Sequence, residues 1–465
     1  MNVFLILPKI NSGCQWNVGL AFISSVLKNA GHKIDLFEIS DYPKDINALL
    51  EKIRKFKPGL VGITANSHQF FYAKEIAKDI KKSFSAPIFV GGVHTILKPE
   101  SLKESEYIDG VCVGEGEFSF LKLVNRMENG KDYFDIKNFW FKRRGEIVKN
   151  KREPLNNDLN VLPFPDRSIF GYFSVPGKKT PRFIFSRGCP FECSYCCNHA
   201  FKNIFKESGS YVRWRSVDLA ISEIEKEKKE YDFDYFKLDD DTFSLNKIWM
   251  REFCKKLKEK KLGLGFECNI RPGTVNEEDM KFLKEAGCKM IKIGIEAGDV
   301  NQRKLILNRN FSNEDIIKTF DLAKKFGIKT FSFNIIGVPG ETRKTIKATL
   351  DLNRMIRPDF MQVTAFYPYP MTLLGDLCFE KGYVGRDFED SYMKKSILKL
   401  PTISSKEVEK AVKNFKFDVY WSYDKKKALK EKILQMKMFI INNSPLHFAA
   451  KVAYKPVKMI KNFAK

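Results

Sequence analysis

The chain is expected to fold as an α/β protein: a parallel sheet covered by helices, then an incomplete barrel of six β/α units, then a helical, lysine-rich region. Three observations predict this. Short apolar runs alternate with stretches of 3.6-residue periodicity through most of the sequence. The runs are apolar on both faces, as in strands buried between helix layers. Polar and glycine-rich clusters recur just after the runs, where parallel sheets keep their sites.

Residues 1–128 hold the first unit. Apolar runs fall at 2–8, 33–37, 59–64, 87–92 and 110–114, with helical patterns between them at 18–30 and 72–84. Gly31 reads as the stop of the first helix. Five β/α units in series imply a doubly wound, flavodoxin- or Rossmann-like sheet with right-handed crossovers. The loops at its carboxyl edge are 8–15, 65–70, 91–94 and 114–117. Gly114-Glu115-Gly116 lacks a third glycine, so an ordinary dinucleotide site is poorly supported.

Residues 129–180 read as a connector. A strand–turn–strand pattern covers 138–149 with Arg144-Gly145 at the turn, and Pro163, Pro165, Pro176 and Pro181 follow. Residues 181–370 alternate again, with strands expected at 182–187, 235–239, 265–270, 290–296, 329–336 and 360–366. Helices fill the gaps at 217–229, 247–260, 277–286, 313–326 and 342–355. Eight β/α units need about 250 residues, so this segment fits a partial, TIM-like (β/α)6 barrel. Residues 371–465 read as helical and basic.

Composition narrows the class. At 465 residues, 43% hydrophobic and 30% charged, the chain is long enough for two or three domains and too apolar for wholesale disorder. No run of about 18 apolar residues is present, and the first residues lack a basic n-region, so a mature cytoplasmic protein is expected. Four of the ten cysteines (Cys189, Cys193, Cys196 and Cys197) fall within nine residues, a pattern of metal binding rather than of a disulfide scaffold. The net charge of +24 is spread along the chain and the phenylalanines follow core periodicities, so no nucleic-acid partner is expected. The tail stands out: residues 401–465 hold 15 Lys against 5 acidic residues.

The chemistry gathers after the first barrel strand. Cys189, Cys193 and Cys196 form C-x3-C-x2-C in the segment Ser186-Arg-Gly-Cys-Pro-Phe-Glu-Cys-Ser-Tyr-Cys-Cys-Asn-His199. Three thiolates on one loop can hold three irons of a cubane and leave the fourth open. A zinc site using Cys193, Cys196 and His199 is the alternative that spacing allows. Cys197 falls outside the ligand spacing and reads as a packed thiol.

With Tyr195 as the aromatic before the third cysteine, this segment resembles the radical S-adenosylmethionine (SAM) superfamily. Leu238-Asp-Asp-Asp-Thr-Phe243, Gly294-Ile-Glu-Ala-Gly298 and Gly337-Val-Pro-Gly-Glu341 resemble its subgroup with an N-terminal cobalamin-binding domain. So do Gly91-Gly-Val-His94, Gly114-Glu-Gly-Glu117 and Leu162-Pro-Phe-Pro-Asp166. The resemblance implies a [4Fe–4S] cluster on Cys189, Cys193 and Cys196, with SAM on the open iron and a 5′-deoxyadenosyl radical as product of its cleavage. By strand position, Asp240 or Asp241 would accept from the SAM ammonium. Glu296 would take the ribose hydroxyls, and Arg271 the SAM carboxylate. The turn from Gly337 to Gly340 would let backbone approach the adenine. The other readings are helix capping by the aspartates and a lysine partner for Glu296.

The resemblance also implies a reductant such as flavodoxin or ferredoxin, and cobalamin as a further cofactor. The D-x-H-x-x-G motif of some cobalamin enzymes is absent. His32, His68 and His94 lie in other contexts, and His94 reads as a turn histidine bonded to backbone. The expected reaction is methylation or rearrangement at an unactivated carbon of a small molecule or lipid. The alternatives are a cobalamin-free cyclase or C–C bond-forming enzyme, a tRNA methylthiotransferase, and a zinc-stabilised nucleic-acid binder. A methylthiotransferase carries three N-terminal cysteines, whereas the first 150 residues here hold Cys14 and Cys112. Phe448, Val452, Met459 and Phe463 share a helical face beside Lys451, Lys455, Lys458 and Lys465. That pattern fits peripheral attachment to a membrane surface, or a helix docked on the barrel and kinked at Pro456.

Overall fold

A computed structural model describes residues 1–10, 16–384 and 396–443. Cys14 and the amphipathic pattern of residues 448–465 lie outside the described residues.

The first unit runs β1 (Asn2–Pro8), α1 (Val18–Asn29), β2 (Lys33–Ile39), α2 (Ile46–Phe56), β3 (Leu60–Thr64), α3 (Ser67–Lys81), β4 (Ile88–Gly91), α4 (Val93–Leu97), β5 (Gly110–Cys112) and α5 (Glu117–Glu128). The strands order as β2-β1-β3-β4-β5, all parallel. The order in which strands are added reverses between β1 and β3, which opens a crevice at their carboxyl ends. β1 is buried along almost its whole length, with Phe4 and Ile6 packing on one face and Val3, Leu5 and Leu7 on the other. This is why its sequence shows no alternation. α3 starts five residues before the expected 72. Asn66 accepts from the Gln69 amide and the Gln69 side chain returns the bond, a capping box that extends the helix backward.

The hairpin of the connector, β6 (Phe139–Arg143) and β7 (Glu146–Lys149), joins the first unit. β6 pairs antiparallel to β5 and brings the sheet to seven strands. Arg144 (φ 52°) and Gly145 (φ 86°) take the two left-handed positions that match a hairpin's twist.

One short helix, α6 (Gly171–Ser174), precedes the barrel. The barrel then runs β8 (Arg182–Phe183), β9 (Ser186–Arg187), α7 (Cys197–Ile204), β10 (Arg213–Trp214), α8 (Val217–Glu230), β11 (Tyr235–Leu238), α9 (Lys247–Glu259), β12 (Gly265–Ile270), α10 (Glu277–Glu285), β13 (Cys288–Glu296), α11 (Asn313–Lys325), β14 (Lys329–Ile336), α12 (Arg343–Ile356) and β15 (Phe360–Ala365). Six strands, β8-β11-β12-β13-β14-β15, form one parallel sheet. Phe236, Phe266, Cys268, Ile291 and Ile293 point outward under the helices, so Lys237, Glu267, Asn269 and Lys292 face the other way, into the lumen. The first strand was expected as one piece over 182–187. It breaks because Asp240 takes the amides of Phe185 (3.0 Å) and Ser186 (2.6 Å), which frees β9 to pair antiparallel with β10. Beyond the barrel, α13 (Leu373–Glu380), α14 (Ser405–Tyr420) and α15 (Lys425–Asn443) follow, and α14 packs through Val408, Phe415 and Val419 into a core shared with Ile336 and Met361.

Two consecutive connector residues fasten the units. Asp166 accepts from Ser24 (2.7 Å) and pairs with Lys28 (2.7 Å) on α1. Arg167, fully buried, pairs with Glu223 (2.7 Å) and Glu227 (3.0 Å) on α8, its guanidinium lying between the rings of Trp16 (4.8 Å) and Phe183 (4.6 Å). Removing one member of a buried ion network leaves uncompensated charge, so Arg167→Ala should cost about 3–5 kcal/mol in urea unfolding. Burial, offset by Arg167, pushes the Glu227 carboxyl up to about 7. That value exceeds the unfolded one, so the proton's stabilising contribution is complete below about 4.5 and is lost as pH rises through 7. Glu227→Gln should therefore flatten the fall in melting temperature between pH 5 and 8.

Candidate functional site

Two features face each other across the junction of the units. The first is a cavity of about 480 Å³ at the carboxyl edge of the N-terminal sheet. Leu5 and Leu7 of β1, Thr64 and Ala65 at the end of β3, Gly91 and Gly92 at the end of β4, and the loop Gly114–Glu117 line it, and the barrel closes it with Arg187 and Phe201. His94 is buried beside this region on α4, stacked on Phe70 at 4.2 Å, and its Nδ1 bonds the Ser67 hydroxyl (3.2 Å) rather than backbone. Burial lowers its pKa to about 4, so it is neutral at ordinary pH.

The second feature is the loop after β9. Gly188 holds φ 84°, and a Cβ there would strike the Tyr211 carbonyl oxygen. The absence of a side chain lets the loop lie on the segment leading to β10. Arg187, immediately before it, donates to Glu115 (2.8 Å) and Glu117 (2.5 Å) of the N-terminal unit. Arg213, its partner across the β9–β10 rung, grips Glu115 with both terminal nitrogens (2.8 and 3.1 Å). Burial alone would raise Glu115, but Arg213 and Arg187 pull it down to about 2. The cavity wall and the cysteine loop are thus bound through Glu115, shared by both arginines, and through Glu117.

Cys189, Cys193 and Cys196 lie on this loop, with Cys193 buried and the other two half-buried. Cys197, next to Cys196 at the start of α7, is half-buried. Among the described residues no three His, Cys, Asp or Glu side chains converge as for a single ion. His199 turns away, with Nε2 on Asn203 (3.3 Å).

Guanidinium groups converge on Cys193. Arg309 Nη1 lies 3.7 Å from its sulfur and donates to the Tyr195 hydroxyl (2.8 Å), while Nη2 donates to the Gly294 carbonyl (2.6 Å). Arg271 Nη1 lies 3.8 Å from the same sulfur and stacks on Phe191 at 3.7 Å. Phe311 is shared by Arg271 (5.0 Å), Arg303 (5.2 Å) and Arg309 (5.0 Å). Glu296, buried with φ 65°, faces Arg309 at 3.6 Å rather than a lysine. Burial raises its pKa against the pull of Arg309. Gly294 makes room for this pair: a Cβ there would strike Glu296 Oε1 and crowd Arg309 Nη2.

The remaining expected site residues are placed as follows. Asp240 spends Oδ1 on Phe185, Ser186 and the Ser186 hydroxyl (2.5 Å), leaving Oδ2 buried without a protein partner. Asp241 accepts from Asn198 (2.9 Å), whose Nδ2 also lies 3.9 Å from Cys196 sulfur. Gly337 (φ 89°) and Gly340 (φ 79°) form a tight turn closed by Glu341, which takes the amides of Gly337 and Val338. Sequence reasoning missed Arg309. It lies in an irregular loop after one π-helical turn, Gln302–Ile306, where no periodicity marks it.

The arrangement defines a class: a cysteine-loop site at the mouth of a partial β/α barrel, beneath a doubly wound ligand-binding sheet. Residues 183–352 match the radical SAM superfamily, and residues 12–124 match the B12 binding domain. The chain belongs to the radical SAM superfamily, with a B12 binding domain ahead of the barrel. It is 29% identical over 386 residues to an uncharacterized methyltransferase of Pyrococcus horikoshii, covering 80% of this chain and 82% of that one. It is 28% identical over 395 residues to the anaerobic magnesium-protoporphyrin IX monomethyl ester cyclase of Rubrivivax gelatinosus, covering 80% and 69%. It shares the fold of the radical S-adenosylmethionine methyltransferase TsrM of Kitasatospora setae, solved with cobalamin and a [4Fe–4S] cluster, at TM-score 0.69, 16% identity and 91% coverage of both chains.

Two glycines with positive φ separate strain from contact. Gly340→Ala meets open space and should cost about 1–2 kcal/mol in urea unfolding, the left-handed penalty alone. Gly188→Ala adds a collision with backbone and should cost about 1–3 kcal/mol more.

Proposed function

We propose that this radical SAM enzyme is a cobalamin-dependent methyltransferase acting at a carbon of a small molecule. The observation that carries the reading is the cavity lined by both units, whose barrel wall is Phe201 and Arg187, the latter two residues from Cys189. A methyl donor seated in the N-terminal domain has to meet the radical chemistry of the barrel, and this is where the two units open onto each other. The donor set supports the cluster. Three cysteines share one loop, and two buried cations aim N–H groups at one of the sulfurs, which suits a group of net negative charge.

When bound, the cluster and SAM supply a 5′-deoxyadenosyl radical and cobalamin supplies a methyl group. The chain's own residues do the holding. Cys189, Cys193 and Cys196 are the proposed ligands, positioned by Gly188 beneath and by Arg271 and Arg309 above. Asp240 Oδ2, buried and unpartnered, and Asp241 beside Asn198 are suited to accept from an ammonium. Glu296 sits where a carboxylate can take two hydroxyl donors. Arg271 is committed to Phe191 and the Cys193 sulfur, so a role toward the SAM carboxylate would use its remaining N–H groups. The Gly337–Gly340 turn offers backbone to an adenine. The rings of Phe191 and Phe311 shield the arginine side of the loop from water.

The test is metal content after oxygen-free purification from cobalamin-fed cells. About four irons per chain are expected from a single cubane, together with cobalt. Iron without cobalt would leave the radical chemistry and remove the methyl donor. Cys193→Ala should stay folded by circular dichroism, lose the iron, and form no 5′-deoxyadenosine from SAM. Retained 5′-deoxyadenosine formation would overturn the ligand assignment.

A further inference from the structure

The sulfur of Cys193 is treated differently from its two neighbours. Cys196 receives one neutral amide, Asn198, at 3.9 Å. Cys193 receives two guanidinium groups, Arg271 at 3.8 Å and Arg309 at 3.7 Å. Both arginines are more than nine-tenths buried. Neither is free to swing away. Arg309 is tied to the Gly294 carbonyl and the Tyr195 hydroxyl, and Arg271 is stacked on Phe191. Like charges this close repel, and the fold tolerates them by sharing the electron-rich face of Phe311. One carboxyl, Glu296, faces Arg309 at 3.6 Å, so two guanidinium groups beside a single sulfur leave a surplus of positive charge that suits negative charge on the group the cysteines hold.

From this we infer that Arg271 and Arg309 set the reduction potential of the cluster, making electron uptake easier from the Cys193 side. The inference rests on the cluster assignment proposed above. Adding one electron adds one negative charge to the cluster. A buried cation a few ångströms away stabilises that charge far more than one in water does. N–H donors to a ligating sulfur withdraw electron density from it, and hydrogen bonding to the sulfurs is one of the levers that fix cluster potentials. Arg309 and Arg271 are therefore positioning and tuning residues. They act on the cluster through Cys193, and Tyr195 and Gly294 hold Arg309 in place.

The experiment is a reductive titration of the reconstituted full-length protein followed by electron paramagnetic resonance, without substrate. Arg309→Gln keeps the side chain polar and removes the charge. With iron content and cluster spectrum retained, it should reduce at least tenfold less readily, a shift of about 59 mV to more negative potential for one electron. Arg271→Gln is the second variant, should Arg309→Gln not assemble, and is expected to shift in the same direction. Lys206→Gln removes an exposed charge after α7 and should leave the potential unchanged. An intact cluster whose potential in the arginine variants stays within twofold of the parent equilibrium would overturn the inference, as would an equal shift in Lys206→Gln. Absence of iron from the parent protein would instead overturn the cluster assignment itself.

Discussion

Glu115 is the carboxylate on which the two halves of the site turn, with Glu117 beside it adding a second bond to Arg187. It takes Arg213 with both oxygens and Arg187 with one, and it does so while largely removed from water. Ion pairs at a surface contribute little, but a desolvated, bidentate pair has both strength and fixed geometry. Glu115 stands in the loop that walls the N-terminal cavity. Arg187 leads directly into Gly188 and Cys189. The spacing between the cavity and the cysteine loop is therefore set by side chains in contact, not by the length of the connector. The connector adds its own pair of anchors, Asp166 to α1 and Arg167 to α8, at the far side of the same junction.

The cysteine loop sits in an excess of positive charge. Arg271, Arg303 and Arg309 crowd one aromatic ring, and the carboxyl facing Arg309, Glu296, is pushed toward its neutral form by burial. Its backbone is also strained, at φ 65° for a residue with a side chain. Strain and unbalanced charge are both unfavourable for folding alone, and proteins keep them where a ligand repays them. The absence of a side chain at Gly294 is part of the same arrangement, since any Cβ would displace the Glu296–Arg309 pair.

The fold was largely legible in the sequence because its signals are local. Ten of the eleven expected strands of the two parallel sheets form within a few residues of the expected bounds, since runs apolar on both faces leave few alternatives. The exceptions have long-range causes. The first barrel strand is cut by Asp240, more than fifty residues away, and the hairpin at 139–149 joins a sheet that its own pattern could not name. The site was legible where a motif fixes residue spacing, as in the cysteine loop and Glu296. It was not legible at Arg309, which reaches Cys193 across 116 residues from an irregular loop. The partners of Arg187 were equally hidden, since Gly114-Glu-Gly-Glu117 and Ser186-Arg-Gly188 are each readable but nothing local pairs them.

The hairpin of β6 and β7 has one further consequence. A wide parallel sheet ending at β5 would leave a row of unpaired backbone groups on an apolar strand. The antiparallel hairpin moves that edge out to β7, which is short and carries Glu146 and Lys149 exposed at its two ends. Lys149 also lies over the Trp140 ring at 4.8 Å and keeps its ammonium at the rim. Charged, brief edges resist edge-to-edge pairing between copies. At this margin of the sheet a second copy finds little backbone to pair with.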